Sequence, residues 1–181
     1  ITSEYLIRHI DRSFELWKRP WNSHLSFEEF CEWILPYRLH DEQLESWHDI
    51  FRPVFDSLLT DTVRTAAQAC AVINNRLKEL PIHIALETVR PSAIRPSSLI
   101  NIKFGLCEDY ANLAVYAMRS VGIPVGIETV PHWGNTNNRH TFNVVYDNDG
   151  RYYDFSGGED HPGEHLNRFS HKIPKVYRNR Y

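Results

Sequence analysis

Cys107 and His140 are the side chains of this sequence best suited to act together, and their surroundings in the chain indicate nucleophilic thiol chemistry. In Phe104-Gly105-Leu106-Cys107-Glu108-Asp109-Tyr110 an apolar approach and a glycine deliver the cysteine to the first turn of a helix. The helix is predicted from the spacing of Leu113, Ala114, Ala117, Met118 and Val121; Gly122 ends it and Pro124 prevents its resumption. A thiol at a helix N-terminus feels the partial positive charge of unpaired backbone N–H groups, which favours the thiolate. Further on, His140, Phe142, Val144 and Tyr146 alternate with Thr141, Asn143 and Val145, the pattern of a half-buried strand with the imidazole at its entrance on the apolar face. Asn148-Asp149-Gly150 turns the chain back through Arg151-Tyr152-Tyr153-Asp154-Phe155. Cys107, His140 and Asp154 thus form a candidate nucleophile, base and orienting acid. If the face carrying His140, Phe142 and Val144 packs on the Cys107 helix, imidazole and thiol lie on one side of the sheet. The plainer alternatives are a small buried thiol under a helix cap and a hydrogen-bonded histidine at a strand end.

The elements that must position this pair fall into two parts. Residues 1–95 read as a helical extension. Tyr5, Leu6, Ile10, Phe14 and Trp17 repeat at helical spacing and stop at Pro20. Ser26 and Glu29 form a capping-box signature before Phe27, Phe30, Cys31 and Ile34. Leu44, Trp47, His48 and Phe51 suggest a third helix broken near Pro53, and Asp61 is the expected cap of a fourth, through Cys70, Ile73 and Leu77. Pro81, Pro91 and Pro96 punctuate an irregular connection with a short helix expected around Ile84 to Val89. Residues 96–181 read as the core: the Cys107 helix, a strand from Val125 to Val130, the loop Pro131 to Asn138, and the antiparallel pair. The stretch from Ser156 to Tyr181 gives little regular signal. The fold class is α+β.

Composition narrows the function. A formal charge of -3 provides no basic field for nucleic acid or anionic membranes, and no run approaches a membrane span. Cys31, Cys70 and Cys107 cannot all pair, and no two have the spacing of a metal knuckle. His161 and His165 are separated by Pro162 and Gly163, so they share no helical face. No metal or other cofactor is expected.

Gly105-Leu106-Cys107-Glu108-Asp109-Tyr110-Ala111, Gly122-Ile123-Pro124, His140-Thr141-Phe142-Asn143-Val144 and Gly150-Arg151-Tyr152-Tyr153 together resemble the transglutaminase-like superfamily of papain-type thiol enzymes. The resemblance runs from about Ser97 to about Gly158. It implies an active-site helix packed on an antiparallel sheet and acyl transfer through a thioester, with a peptide or protein as partner substrate. Hydrolysis of a peptide or isopeptide bond is the first expectation and transamidation the second. The opening helices resemble N-terminal extensions of such proteins from gut Bacteroidetes, which implies an extracytoplasmic location. Two departures stand out: Tyr152 occupies the family's tryptophan place, and Ser156 the place of its aspartate. Serine accepts a hydrogen bond from imidazole but cannot offset an imidazolium charge, so Asp154 is the expected third member, with Glu159 and Asp160 as later candidates. A binding module that keeps the fold without turnover is the competing reading. Trp133, in a glycine-flanked loop, is a candidate wall of the acyl slot, and Asn101 a candidate second oxyanion donor beside the Cys107 N–H.

Overall fold

The computed structural model describes residues 1–81, 83–84, 93–164, 172 and 175–179. Helix α1 (Ser3–Trp17) begins where the Thr2 hydroxyl accepts the Tyr5 N–H. Its buried stripe is His9, Ser13 and Leu16, whereas Ile10 and Phe14, expected on the packed face, stay 40% exposed. The polar members of that stripe are satisfied locally: the His9 ring reaches the Leu35 carbonyl at 2.7 Å, and the Ser13 hydroxyl donates to the His9 carbonyl. Helix α2 (Phe27–Trp33) carries the expected Ser26–Glu29 capping box. Helix α3 (Trp47–Phe55) passes through Pro53 for another two residues before a single 3-10 turn at Asp56–Leu58.

Helix α4 (Ala66–Lys78) is capped by Thr65 and Gln68, not by Asp61. Its next two N–H groups, on Ala66 and Ala67, donate to Asn148 and Asp147 in the distant hairpin turn. Four helical N–H groups lack intrahelical partners, and here tertiary structure supplies two of the acceptors. Strand β1 (His83–Ile84) pairs in parallel with β2 (Phe104–Gly105). The helix expected around Ile84 to Val89 otherwise lies outside the described residues. Helix α5 (Pro96–Ile102) leads through Lys103, in the left-handed region at φ 61°, to α6 (Cys107–Arg119).

The antiparallel sheet has the order β5–β4–β3–β6, from β3 (Val125–Val130), β4 (His140–Tyr146), β5 (Tyr152–Phe155) and β6 (Tyr177–Arg178). Helix α6 is buried along most of its length, from Ala111 to Arg119, between this sheet and helices α3, α4 and α5. One hydrophobic cluster joins Trp47, Phe51, Cys70 and Ile73 to Leu113, Met118, Ile127 and Phe155. The core is therefore continuous across the boundary drawn at residue 95. No described helix is long and apolar enough to cross a membrane.

The sheet is covered on both faces, which reverses one expectation. Val145 and Asn143 of β4 face α6, whereas Val144 packs with Leu25, Phe30 and Trp33 around α2. The face carrying His140, Phe142 and Val144 is thus the one turned away from the Cys107 helix, and His140 meets the helix start only because it stands at the very end of its strand. Alternation indicates which residues share a face, but when both faces are buried it does not indicate which one meets a given helix.

Candidate active site

Gly105 sets the approach to the cysteine. A Cβ on it would lie 2.8 Å from the Leu99 side chain and 3.0 Å from the Asp109 Cβ, so only glycine lets α5, β2 and the start of α6 come this close. The buried Asp109 carboxylate then accepts the Leu106 N–H at 2.8 Å, closing the first turn. Cys107 is the first residue of α6 and is partly exposed, with first-turn N–H groups that have no intrahelical acceptor. Anionic sulfur, or an oxyanion formed next to it, meets the positive end of the helix there.

Cys107 lines a small hollow together with Tyr110, Ala111, His140, Thr141, Asn143, Ser156, Gly157 and Glu159, with room for about one water molecule. His140 lines it from the first position of β4, paired with Val130. Its ring stacks with Trp133 at 5.9 Å and with Phe142 at 5.7 Å, and these aromatic faces restrain the imidazole plane. Trp133 is buried with Val130 and Phe142 and so supports the His140 ring; it is not among the hollow-lining residues.

Asn143 ties the elements together. Its carboxamide, with no exposed surface, donates to the Ala111 carbonyl of α6 at 2.9 Å and accepts the Gly157 N–H at 3.1 Å. Gly157 makes this possible: a Cβ there would fall 2.4 Å from that of Ala114, so the chain leaving β5 lies directly on α6. Ser156 and Glu159 reach the hollow by that route. Asp160 holds the same turn, accepting the Ser156 N–H, while its own carbonyl accepts from Asn74. It is a structural partner of the turn.

Asp154 pairs with Val144, and that register directs it to the sheet face that also carries Phe142 and His140. It lines a different cleft, with Glu128, Phe142, Val144, Tyr152, Val176 and Arg178. Arg178 closes that side, donating twice to Glu128 at 2.9 and 2.7 Å and lying 3.9 Å above the Tyr152 ring. Asn101 is exposed on α5, its amide turned to the Ser97 carbonyl at 3.3 Å, and it does not line the hollow. Of the expected site residues, Cys107 and His140 share the hollow; Asp154, Trp133 and Asn101 lie outside its lining.

Two hydroxyls belong to the residues of the hollow: Ser156, weighed from the sequence as the ring's partner, and Tyr110, which the sequence reading passed over as a functional group. Ser156 is buried and its Oγ has no hydrogen-bond partner, and the same holds for the Tyr110 phenol oxygen. Burial, and then the charge of Glu159, push the Tyr110 phenol up to about 12. The position of Tyr110, one turn after the cysteine, was the available signal. Among the described residues no group of three or more His, Cys, Asp or Glu side chains is arranged to hold a metal ion. His165 lies outside the described residues.

The sequence model of the transglutaminase-like superfamily matches residues 56–156, more than half of the chain. The chain belongs to the transglutaminase-like superfamily. The match takes in α4, assigned above to the extension, as well as α6 and the strands bearing His140 and Asp154. No curated protein matches. A solved structure from Cytophaga hutchinsonii, titled as that of a "Putative Cysteine Protease", shares the fold at 13% identity and a TM-score of 0.50. The alignment covers 74% of this chain and 48% of that one, so the present chain spans about half the length of that protein.

Proposed function

We propose that this member of the superfamily catalyses acyl transfer through a thioester on Cys107, with hydrolysis of a peptide or isopeptide bond as the first reaction to test. The observation that carries the reading is that Cys107 at the head of α6 and His140 at the head of β4 line the same hollow. In the proposed cycle the Cys107 sulfur attacks the carbonyl carbon, and the carbonyl π pair moves onto oxygen beside the helix N-terminus. His140 takes the thiol proton and returns it to the leaving amine as the C–N bond breaks. Water, activated by the same imidazole, then cleaves the thioester. Ser156 orients the ring and Glu159 supplies negative charge at the rim; Asp154, which shares the sheet face of His140 but lines a separate cleft, is the alternative orienting acid.

A second reading, a binding module that retains the fold without turnover, is favoured by one feature: the hydroxyl of Ser156 stands where the family carries an aspartate. The catalytic reading predicts that Cys107→Ala and His140→Ala each abolish cleavage of any substrate identified in a peptide library. The double variant should be no worse than either, because members of one catalytic unit are strongly non-additive. A His140→Ala protein that keeps most of the rate would refute the assignment.

A further inference from the structure

The proposed cycle needs a second donor for the oxyanion, and Asn101, the sequence candidate, is exposed and bonded back to its own helix. We propose that the Tyr110 hydroxyl is that donor, an assignment that rests on the thioester reading of Cys107. Tyr110 follows Cys107 by three residues on α6, the spacing at which helix side chains are neighbours, and helical Cβ atoms lean toward the N-terminus. The phenol is thereby aimed at the same end of the helix as the thiol. Its ring lies close to the turn at Gly158, where an added Cβ would come within 3.7 Å of Cδ1, so the turn after β5 limits its swing.

Tyr110 lines the hollow, and its hydroxyl oxygen is buried and has no hydrogen-bond partner. An unsatisfied buried O–H is costly, and an arriving anionic oxygen is the acceptor that relieves the cost most. Burial, and then the neighbouring carboxylate of Glu159, keep the phenol protonated, so it remains a donor throughout the pH range in which a thiol enzyme works. Ser156 offers the other unpartnered hydroxyl, but it stands at the end of β5, in the position that faces the imidazole in the family pattern. Tyr110 shares the helix of the sulfur, where the Cys107 N–H supplies the first donor.

Two reagents separate oxyanion stabilisation from every other contribution to Cys107 reactivity. With p-nitrophenyl acetate, the sulfur adds to the carbonyl carbon, a C–S bond forms and the π pair becomes an oxyanion. Collapse breaks the C–O bond, releases p-nitrophenolate and leaves an acetyl thioester. With iodoacetamide, the sulfur displaces iodide at a saturated carbon and no oxyanion forms. Both adducts are assigned to Cys107 by peptide mass mapping in full-length protein. Tyr110→Phe should lower the acetylation rate of Cys107 at least tenfold while leaving its alkylation rate within about twofold, since one such donor carries about 10² to 10³ in rate.

Equal loss in both reactions would make Tyr110 a packing residue and overturn the proposal, as would no change in either. Tyr110→Trp, which keeps a ring N–H, serves if the phenylalanine variant melts lower than the wild type; a rate no better than that of Tyr110→Phe counts against a donor role. Failure of the underlying reading looks different: wild-type Cys107 would then alkylate no faster than in His140→Ala.

Discussion

Under the proposed cycle Ser156 places a neutral hydroxyl where an acid would compensate the imidazolium, and the physics of a thiolate beside an imidazolium makes that consequential. A serine orients a ring but leaves its charge uncompensated, while Glu159 brings a full charge to the rim of the same hollow. Because Glu159 is exposed, solvent screens its field, and its contribution is modest. Glu159→Gln is therefore expected to slow Cys107 acetylation about tenfold, equivalent to one decade of barrier. Asp154→Asn, in the separate cleft, should change it by less than about twofold, and Ser156→Asp should raise it. A loss of several orders of magnitude in Asp154→Asn would return Asp154 to the site. The choice of Asp154 from the sequence followed its chemistry; which cleft its side chain lines is a tertiary property.

The elements differ in how far they could be read. The Cys107 helix, the Val125–Val130 strand and the hairpin were legible because each carries its own periodicity and punctuation. The face of β4 that meets α6 was not, because helices cover both sides and Asn143 is made apolar-compatible by hydrogen bonds to Ala111 and Gly157. Thr65 displaces Asp61 as the α4 cap because the hairpin turn, 80 residues on, completes that N-terminus. Strand β6 lies in a segment of low periodicity and is fixed by the Arg178–Glu128 pair. Element contact also makes Gly157 testable. Gly157→Ala should destabilise by about 1–3 kcal/mol through overpacking against Ala114 and should lower activity by displacing the Ser156–Glu159 turn. Removing the opposing methyl with Ala114→Gly should recover more of the activity than of the stability, since glycine inside a helix costs about 1 kcal/mol itself. Urea titration and acetylation rates read the two; a Gly157→Ala protein equal to wild type in both would contradict the packing.

Across the whole molecule, helices α3 and α4 share one buried cluster with α6 and the sheet, and its weak point is acid. His48 is buried on α3, stacked on Trp47 and 5.1 Å from the His9 ring. Burial, then the charges of His9, Arg12 and Arg52, push its imidazole down to about 3. The folded protein keeps His48 neutral, whereas the unfolded chain protonates it near 6.5. Its contribution to stability is complete above that pH and is lost as pH falls toward 3. His9 is shifted in the same direction by burial. Between pH 6.5 and 4.5 the His48 term alone amounts to about 2 kcal/mol. Urea midpoints should fall over that interval, and His48→Leu should flatten the dependence. An equally steep curve in the variant would show that His48 does not titrate on unfolding.

The pairing of thiol and imidazole is tested most directly by the pH dependence of iodoacetamide alkylation at Cys107, with Cys31 and Cys70 followed in the same digest. A catalytic pair predicts that Cys107 is alkylated at least about tenfold faster than a free cysteine near neutral pH. Its rate should change little between about pH 5.5 and 8.5, and His140→Ala should slow it and restore a steep rise with pH. A wild-type Cys107 that labels no faster than free cysteine, with the same pH profile as in His140→Ala, would contradict the account.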